Sequence, residues 1–339
     1  MDSKNIDSKV TTIGDVALAL GVSKTTVSRA ISGKGRVGAG TREKVLKYIS
    51  EHNYRPNVIA KGLATNRTYN IGLTLPGDYD LVDLPFFQKC MMGVSEMASS
   101  MDYDVIISLI SNSNDISQLE RLVDNHKVDG FILSRTYVKD NPAEFLKSRG
   151  VPFVTIGSSS DTSIIQVDND HEGACRELTS ILLMRGLRRI ALIGGNHNYV
   201  VSQKRLNGYL DAFRQQRLSA SNDMIYMDTE SPIMIEKTVE DLVSRKAECI
   251  LCMDDAICRH VLDKLSKDGI RVPEDIKVAS FYNSSLLENN AVSITSLQFD
   301  VRKLGIYSCH ALLDILDGKT VQQRTELEYT VSMKESTKI

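Results

Sequence analysis

The sequence predicts an α/β protein: a small N-terminal all-α helix-turn-helix head followed by two doubly wound parallel-sheet lobes. Three observations predict it. Residues 12 to 32 carry two short amphipathic segments joined by a glycine, and from Asn70 onward short apolar runs alternate with helical stretches. That alternation then starts afresh at RRIALIGG, residues 188 to 195.

In the head, Thr12-Ile13-Gly14-Asp15 has the form of a capping box, in which hydroxyl and carboxylate satisfy the free N–H groups of a helix start. Ile13, Val16, Ala17 and Leu20 then recur at spacings of three and four, the period of one helix face. Gly21 interrupts, and Ser23 offers an N-cap to a second helix reaching about Ser32. This second helix is expected to bury Val27 and Ile31 and to turn Lys24, Thr25, Ser28 and Arg29 outward, as a helix entering a major groove would. A third helix, from Thr41 to about His52, is expected to close the core with Val45, Leu46 and Ile49.

Charge supports the division. The 339 residues carry a net charge of −2, but residues 1 to 70 hold twelve Lys and Arg against five Asp and Glu, a local balance of +7 over an acidic remainder. A basic segment alone is more often a solvated face; joined to a helix-turn-helix pattern it points to nucleic acid. With 42% hydrophobic residues the chain can fill ordinary globular cores. It has no run of eighteen apolar residues and no apolar stretch behind its first charges, so no membrane partner and a cytoplasmic location are expected. Six scattered cysteines lack zinc-finger spacing, and the Cys249-x-x-Cys252 pair lies in an apolar strand that would turn its sulfurs to opposite faces, so buried free thiols are expected. Gly194-Gly195 is not followed by GxGxxG, there is no Walker loop, and the six histidines are dispersed without HExxH. No metal, cofactor or catalytic role is expected.

In the body, IGLTLP, FFQKCMMGVSEMASSM, YDVIISL, a helix near 115 to 126 and DGFIL give the βαβ rhythm of a parallel sheet. A long helix after Val167-Asp168-Asn169 leads into the second series. Ligands in such folds bind at the carboxyl ends of strands.

The segments TTIGDVALALGVSKTTVSRAISGKGRV and TREKVLKYISEHNYRPNVIAKGLA resemble the LacI/GalR family of regulators, and NIGLTLP, VDGFIL, VPFVTIG, RRIALIGG, RLNGY and RVPEDIKVASF extend the resemblance over nearly the whole chain. It implies a DNA-binding domain at 1–55, a hinge helix and linker at 56–69, and an effector-binding, dimer-forming body at 70–339. That body resembles periplasmic sugar-binding proteins, with lobe 1 at about 70–167 and 300–328, lobe 2 at about 168–299 and 329–339, and chain crossings near Asp168, Phe299 and Tyr329. By the same resemblance Lys24, Thr25 and Arg29 read base edges or, alternatively, touch phosphates. Thr12, Thr26, Ser28, Ser32, Thr41, Tyr54 and Asn57 fall where relatives contact phosphates. In the hinge, Leu63 takes the part of a minor-groove wedge, with Ala60 and Lys61 beside it. A helix of about eight residues is shorter than the roughly 12 to 15 needed for independent stability, so it is expected to order on DNA.

Family positions lining the effector cleft carry over to Phe86, Phe87, Ser134, Thr136, Ser158, Asp168, Val201, Arg205, Asp254, Tyr282 and Phe299. Phe86 can stack on a ring and Arg205 can hold oxygens with paired donors. The competing roles are lobe packing for the phenylalanines, an interlobe salt bridge between Arg205 and Asp168, and a helix N-cap for Asp255. Sugar-binding relatives usually have an aspartate where Tyr282 stands and often a polar residue where Gly157 stands. A sugar or sugar derivative is the expected effector, and Tyr282 leaves a flatter ligand open. A body modulated by a protein partner, as in the catabolite-control branch, is the alternative. The end at VSMKESTKI carries no leucine heptads, so a homodimer reading a pseudo-palindromic operator in double-stranded DNA is expected.

Overall fold

The computed structural model describes residues 12–33, 35–52, 54, 62, 65–78, 84–288 and 290–339, and divides into two units, Met1–Thr68 and Tyr69–Ile339.

The first unit contains α1 (Ile13–Leu20), α2 (Lys24–Ser32) and α3 (Ala39–Glu51). The capping box forms: Thr12 Oγ1 accepts from the Asp15 N–H at 3.3 Å, and Asp15 Oδ2 accepts from the Thr12 N–H at 2.8 Å. Gly21 ends α1 in the left-handed region (φ 63°), which a glycine enters without a Cβ penalty. Ser23 Oγ then caps α2 by accepting from the Thr26 N–H at 3.1 Å. Val16, Ala17, Val27, Ala30, Val45 and Tyr54 make the core. One expectation is corrected, because Leu46 is 47% exposed. Starting from buried Val45, one helical step of about 100° turns Leu46 to solvent, while a spacing of four brings Ile49 back to the core.

The second unit has two sheets. The first runs in the order β11 (Arg324–Leu327), β5 (Ile165–Asn169), β4 (Phe153–Ile156), β3 (Gly130–Leu133), β1 (Asn70–Pro76), β2 (Asp104–Ile110), all parallel. The second runs β12 (Tyr329–Ser332), β10 (Thr295–Phe299), β9 (Lys277–Ser280), β8 (Cys249–Cys252), β6 (Ile190–Ile193), β7 (Ile225–Tyr226), parallel except for the β10–β12 pair. The helices between them are α4 (Pro85–Ser100), α5 (Ser117–Asp124), α6 (Asn141–Ser148), α7 (His171–Met184), α8 (Val200–Gln215), α9 (Pro232–Ser244), α10 (Asp255–Lys267), α11 (Ser285–Glu288) and α12 (Val301–Leu316). The expected fold class is therefore found. The chain passes between sheets three times: from β5 into α7, from β10 into α12, and from β11 into β12. All six cysteines are buried and free, Cys249 and Cys252 because β8 is covered on both faces. Among the described residues no helix is long and apolar enough to cross a membrane.

Each lobe is tightened by one intimate helix pair. A Cβ on Gly93 of α4 would lie 2.1 Å from the Arg302 carbonyl oxygen on α12, and one on Gly305 would lie 2.2 Å from that of Cys90. In the other lobe a Cβ on Gly208 of α8 would lie 2.3 Å from the Glu172 carbonyl oxygen on α7, which gives the glycine of RLNGY its physical reason. Because backbone is what the added carbon would strike, Gly208→Ala and Gly305→Ala are expected to lower stability by about 1–3 kcal/mol each, read as a lower urea midpoint at unchanged slope.

Candidate functional site

Two surfaces hold the residues singled out from the sequence. On the head, α2 buries Val27 and Ala30 and leaves Lys24, Thr25, Ser28 and Arg29 exposed. Thr26 and Thr41 are half-buried, and Thr12 is exposed while its hydroxyl serves the capping box. Tyr54 is only 7% exposed and belongs to the head core, so its ring is not an outward-facing group. Asn57, Ala60, Lys61 and Leu63 lie outside the described residues, as does the side chain of Ser32.

On the body, a cleft of about 770 Å³ opens at the carboxyl ends of the strands of both sheets. Its wall includes Ser134 and Thr136 after β3, Gly157 after β4, Asp168 near the end of β5, Asp254 after β8 and Tyr282 after β9, together with Phe86, Phe87, Val201 and Arg205. Two residues expected there are elsewhere. Ser158 sits behind the wall, where its hydroxyl donates to Asp168 Oδ2 at 2.7 Å. Phe299 packs beneath, against His171 (ring centroids 5.0 Å apart) and Tyr282 (6.5 Å).

Lobe-to-lobe polar contacts differ from the expected Arg205–Asp168 pair. It is Lys204 of α8 that reaches across, donating to Ser158 Oγ at 2.5 Å and standing 3.8 Å from Asp168 Oδ2. Arg205, one residue on, points instead into its own lobe and donates through Nη1 to the Met253 carbonyl. Consecutive helical side chains diverge by about 100°, so only one of the two could face Asp168. The N-cap expectation also shifts by one residue: Asp254 caps α10, accepting from the Ile257 N–H at 2.8 Å, while Asp255 accepts from the Ser284 hydroxyl.

Burial sets the ionisation of the cleft. It raises the carboxyl of Asp168 against the opposing pull of the Ser158 hydroxyl and Lys204. It drives His171 well below the ordinary imidazole range, aided by Arg205 and Lys204, so this ring is neutral and its 3.5 Å approach to Asp168 Oδ1 is dipolar rather than ionic. Asp254 is raised to about 6, first by burial and then by the neighbouring charge of Asp255.

Sequence reasoning missed His171, Arg135, Tyr199, Glu230, Arg259 and His260 on this wall. Several stand in turns after strands, where no periodicity marks them. For Arg135, Tyr199 and Glu230 the available signal was positional, as polar residues in the turns beyond a strand's carboxyl end, whereas Arg259 and His260 lie inside α10, where it does not reach.

Asp254 gives a pH-dependent expectation. Its folded pKa lies above the usual 3.8, so between about pH 4 and 6 the folded chain binds the proton more strongly than the unfolded one. Ionised Asp254 thus costs stability above pH 6 and nothing below pH 4. Asp254→Asn keeps a good capping group and removes that cost; it should stabilise the protein by about 1–3 kcal/mol at pH 7.5. Paired thermal melts should show the gain shrinking to nothing as pH falls to 4.

The first segment matches the model of bacterial regulatory proteins of the lacI family over residues 12–57, and the body matches that of the periplasmic binding protein-like domain over residues 179–337. The HTH-type transcriptional regulator MalR of Streptococcus pneumoniae is 31% identical over 323 residues, 92% of this chain and 95% of its own length. Catabolite control protein A of Staphylococcus epidermidis is 29% identical over 316 residues, 92% of this chain and 94% of its own. A solved complex of the transcriptional regulator CelR with cellobiose superposes with a TM-score of 0.74 at 27% identity, over 96% of this chain and 99% of that one. With its capped helix pair, its two-sheet body and a relative of this similarity along nearly its full length, the chain belongs to the lacI family of bacterial regulatory proteins.

Proposed function

We propose that this protein is a sequence-specific, DNA-binding transcriptional repressor whose operator affinity is set by a small carbohydrate-class molecule held between the two lobes. The observation that carries the reading is α2, whose exposed face presents Lys24, Thr25, Ser28 and Arg29 side by side while Val27 and Ala30 hold it to the head. Arg29 has the fork that matches guanine O6 and N7, and its stem lies across Gly35, where a Cβ would approach its Cδ to 3.1 Å. Asn57, Ala60, Lys61 and Leu63 belong to the same interface in this reading, with Leu63 as the wedge. The location is cytoplasmic, where the DNA is, and the activity is binding rather than catalysis, as the relatives' names as regulators support.

The effector class follows from the cleft. Its wall carries the carboxylates Asp78, Asp168, Glu230, Asp254, Asp255 and Asp263 against the guanidiniums of Arg135, Arg205 and Arg259, an acidic balance that disfavours anionic ligands. Carboxylates accepting from hydroxyls, with Phe86, Phe87 and Tyr282 as ring faces, suit a neutral sugar, and the CelR relative is solved with cellobiose. Effector binding shifts the balance of lobe arrangements and with it DNA affinity. The 29% identity to catabolite control protein A favours one second reading, a body that takes a protein partner; calorimetric titration with mono- and disaccharides separates the two.

A homodimer completes the reading. β2 is an edge strand that alternates buried Ser108 and Ile110 with exposed Ile107 (39%) and Leu109 (47%), and Met92 is 56% exposed. An uncovered apolar edge invites pairing with a second copy.

Arg29→Ala is expected to weaken operator binding by about 1–3 kcal/mol while leaving affinity for random duplexes unchanged in fluorescence anisotropy at fixed salt. An equal loss on both duplexes removes Arg29 from base readout. Ile107→Lys with Leu109→Lys is expected to convert the dimer to monomer in sedimentation velocity.

A further inference from the structure

At the start of α8, a few residues before Lys204, the two lobes also meet through main chain. The turn after β3, residues 134 to 138, lies antiparallel to the turn before α8, residues 196 to 200: Tyr137 and Tyr199 form a bridge pair, the Val138 N–H donates to the Asn198 carbonyl at 2.8 Å, and the Val200 N–H donates to that of Thr136 at 3.2 Å. Side chains close over the bridge. Arg135 Nη1 donates to the Tyr199 hydroxyl at 3.0 Å and to Asp78 Oδ1 at 3.2 Å, and the guanidinium stands 4.3 Å from the centre of the Tyr199 ring. The Tyr199 hydroxyl donates to Asp78 Oδ2 at 3.3 Å, and the Tyr137 ring meets Tyr199 edge-on with centroids 5.7 Å apart. The Arg135 side chain is 12% exposed and that of Asp78 26%, so the pair is partly shielded from water and salt.

Each arm is fixed to its own lobe. On one side the Ser134 N–H donates to Thr74 Oγ1 at 3.0 Å, and Asp140 accepts from the Tyr137 and Ala143 N–H groups at 3.1 Å. On the other, the Asn196 N–H donates to Glu230 Oε1 at 3.2 Å, and the His197 N–H donates to Asp228 Oδ1 at 2.9 Å. With neither arm able to follow the other, opening the lobes must break the bridge.

We propose that Asp78, Arg135 and Tyr199, with the Tyr137–Tyr199 bridge, form a latch that gates the cleft and holds the lobes at this angle through the chain's own groups. Arg135 and Tyr199 are thereby positioning residues for the effector site. The gating role rests on the reading of the cleft as that site; the latch itself does not. Release of the latch admits or frees the ligand, and its strength sets how much of the lobe equilibrium is left for the ligand to shift.

The test uses the full-length protein without DNA or ligand, so its outcome is independent of operator binding. All six native cysteines are buried, and Glu144→Cys with Lys237→Cys therefore gives one exposed labelling site on each lobe. Electron–electron distance measurements between spin labels should give one narrow distribution for the parent. Tyr199→Phe and Arg135→Lys should each broaden it toward longer separations, and amide exchange at Val138 and Val200 should accelerate by at least about tenfold with the melting transition retained. Unprotected exchange at both amides in the parent overturns the proposal, a result that no folding defect in a variant can blur. Variants that match the parent in both distance and exchange overturn it equally.

Discussion

A carboxylate buried where the chain first leaves one sheet for the other sets the terms for the body. Asp168 stands near the end of β5, 3% exposed, and an ionised group taken from water is tolerated when charge and hydrogen bonds replace its hydration. Its partners are the Ser158 hydroxyl from its own lobe, the Asn169 N–H at 2.8 Å and Lys204 from the opposite lobe. His171, neutral by burial, offers no countercharge. The cation thus comes from across the cleft, and the ionisation of Asp168 and the spacing of the lobes are coupled: drawing Lys204 away leaves a charge that must either take up a proton or find another donor.

One of the cleft's carboxylates, Asp254, owes its place to the way parallel sheets are built. In parallel sheets the helices begin where strands end, so N-caps and ligand-facing groups share one rim. Asp140, Asp170 and Asp254 cap α6, α7 and α10 there, each accepting from a helix N–H. A capping carboxylate is held by the helix dipole as well as by its hydrogen bond, which fixes its orientation. Asp254, capping a helix and lining the cleft, shows the two duties meeting in one side chain.

Periodicity and capping made the head legible nearly to the residue, because a three-helix unit with a core of Val16, Ala17, Val27, Ala30, Val45 and Tyr54 is specified by local signals. Leu46 was misread because adjacent apolar residues in a helix cannot be ranked without knowing which faces the core. In the body the strand rhythm showed the two sheets, but three features depend on which way side chains turn: Asp254 rather than Asp255 as cap, Lys204 rather than Arg205 facing Asp168, and Ser158 behind the wall. Arg135 and Tyr199 stand in turns whose partner is another turn 64 residues away, a relation no local pattern encodes.

Under the proposed reading of the cleft as an effector site, Arg205 is the group that would discriminate among polar ligands. Its Nη1 is committed to the Met253 carbonyl, and Asp254 and Asp255 surround it with negative charge, so the guanidinium is held in place by its own lobe before anything else arrives. At 9% exposure it can rotate little, and its Nε makes no hydrogen bond among the described residues. A donor fixed by the fold loses little entropy when it meets an acceptor, whereas an acceptor misplaced on the ligand finds the arginine unable to follow. Its neighbouring carboxylates oppose a fully charged acceptor such as a phosphate, so in the proposed reading its partner is the oxygen of a neutral hydroxyl or ring.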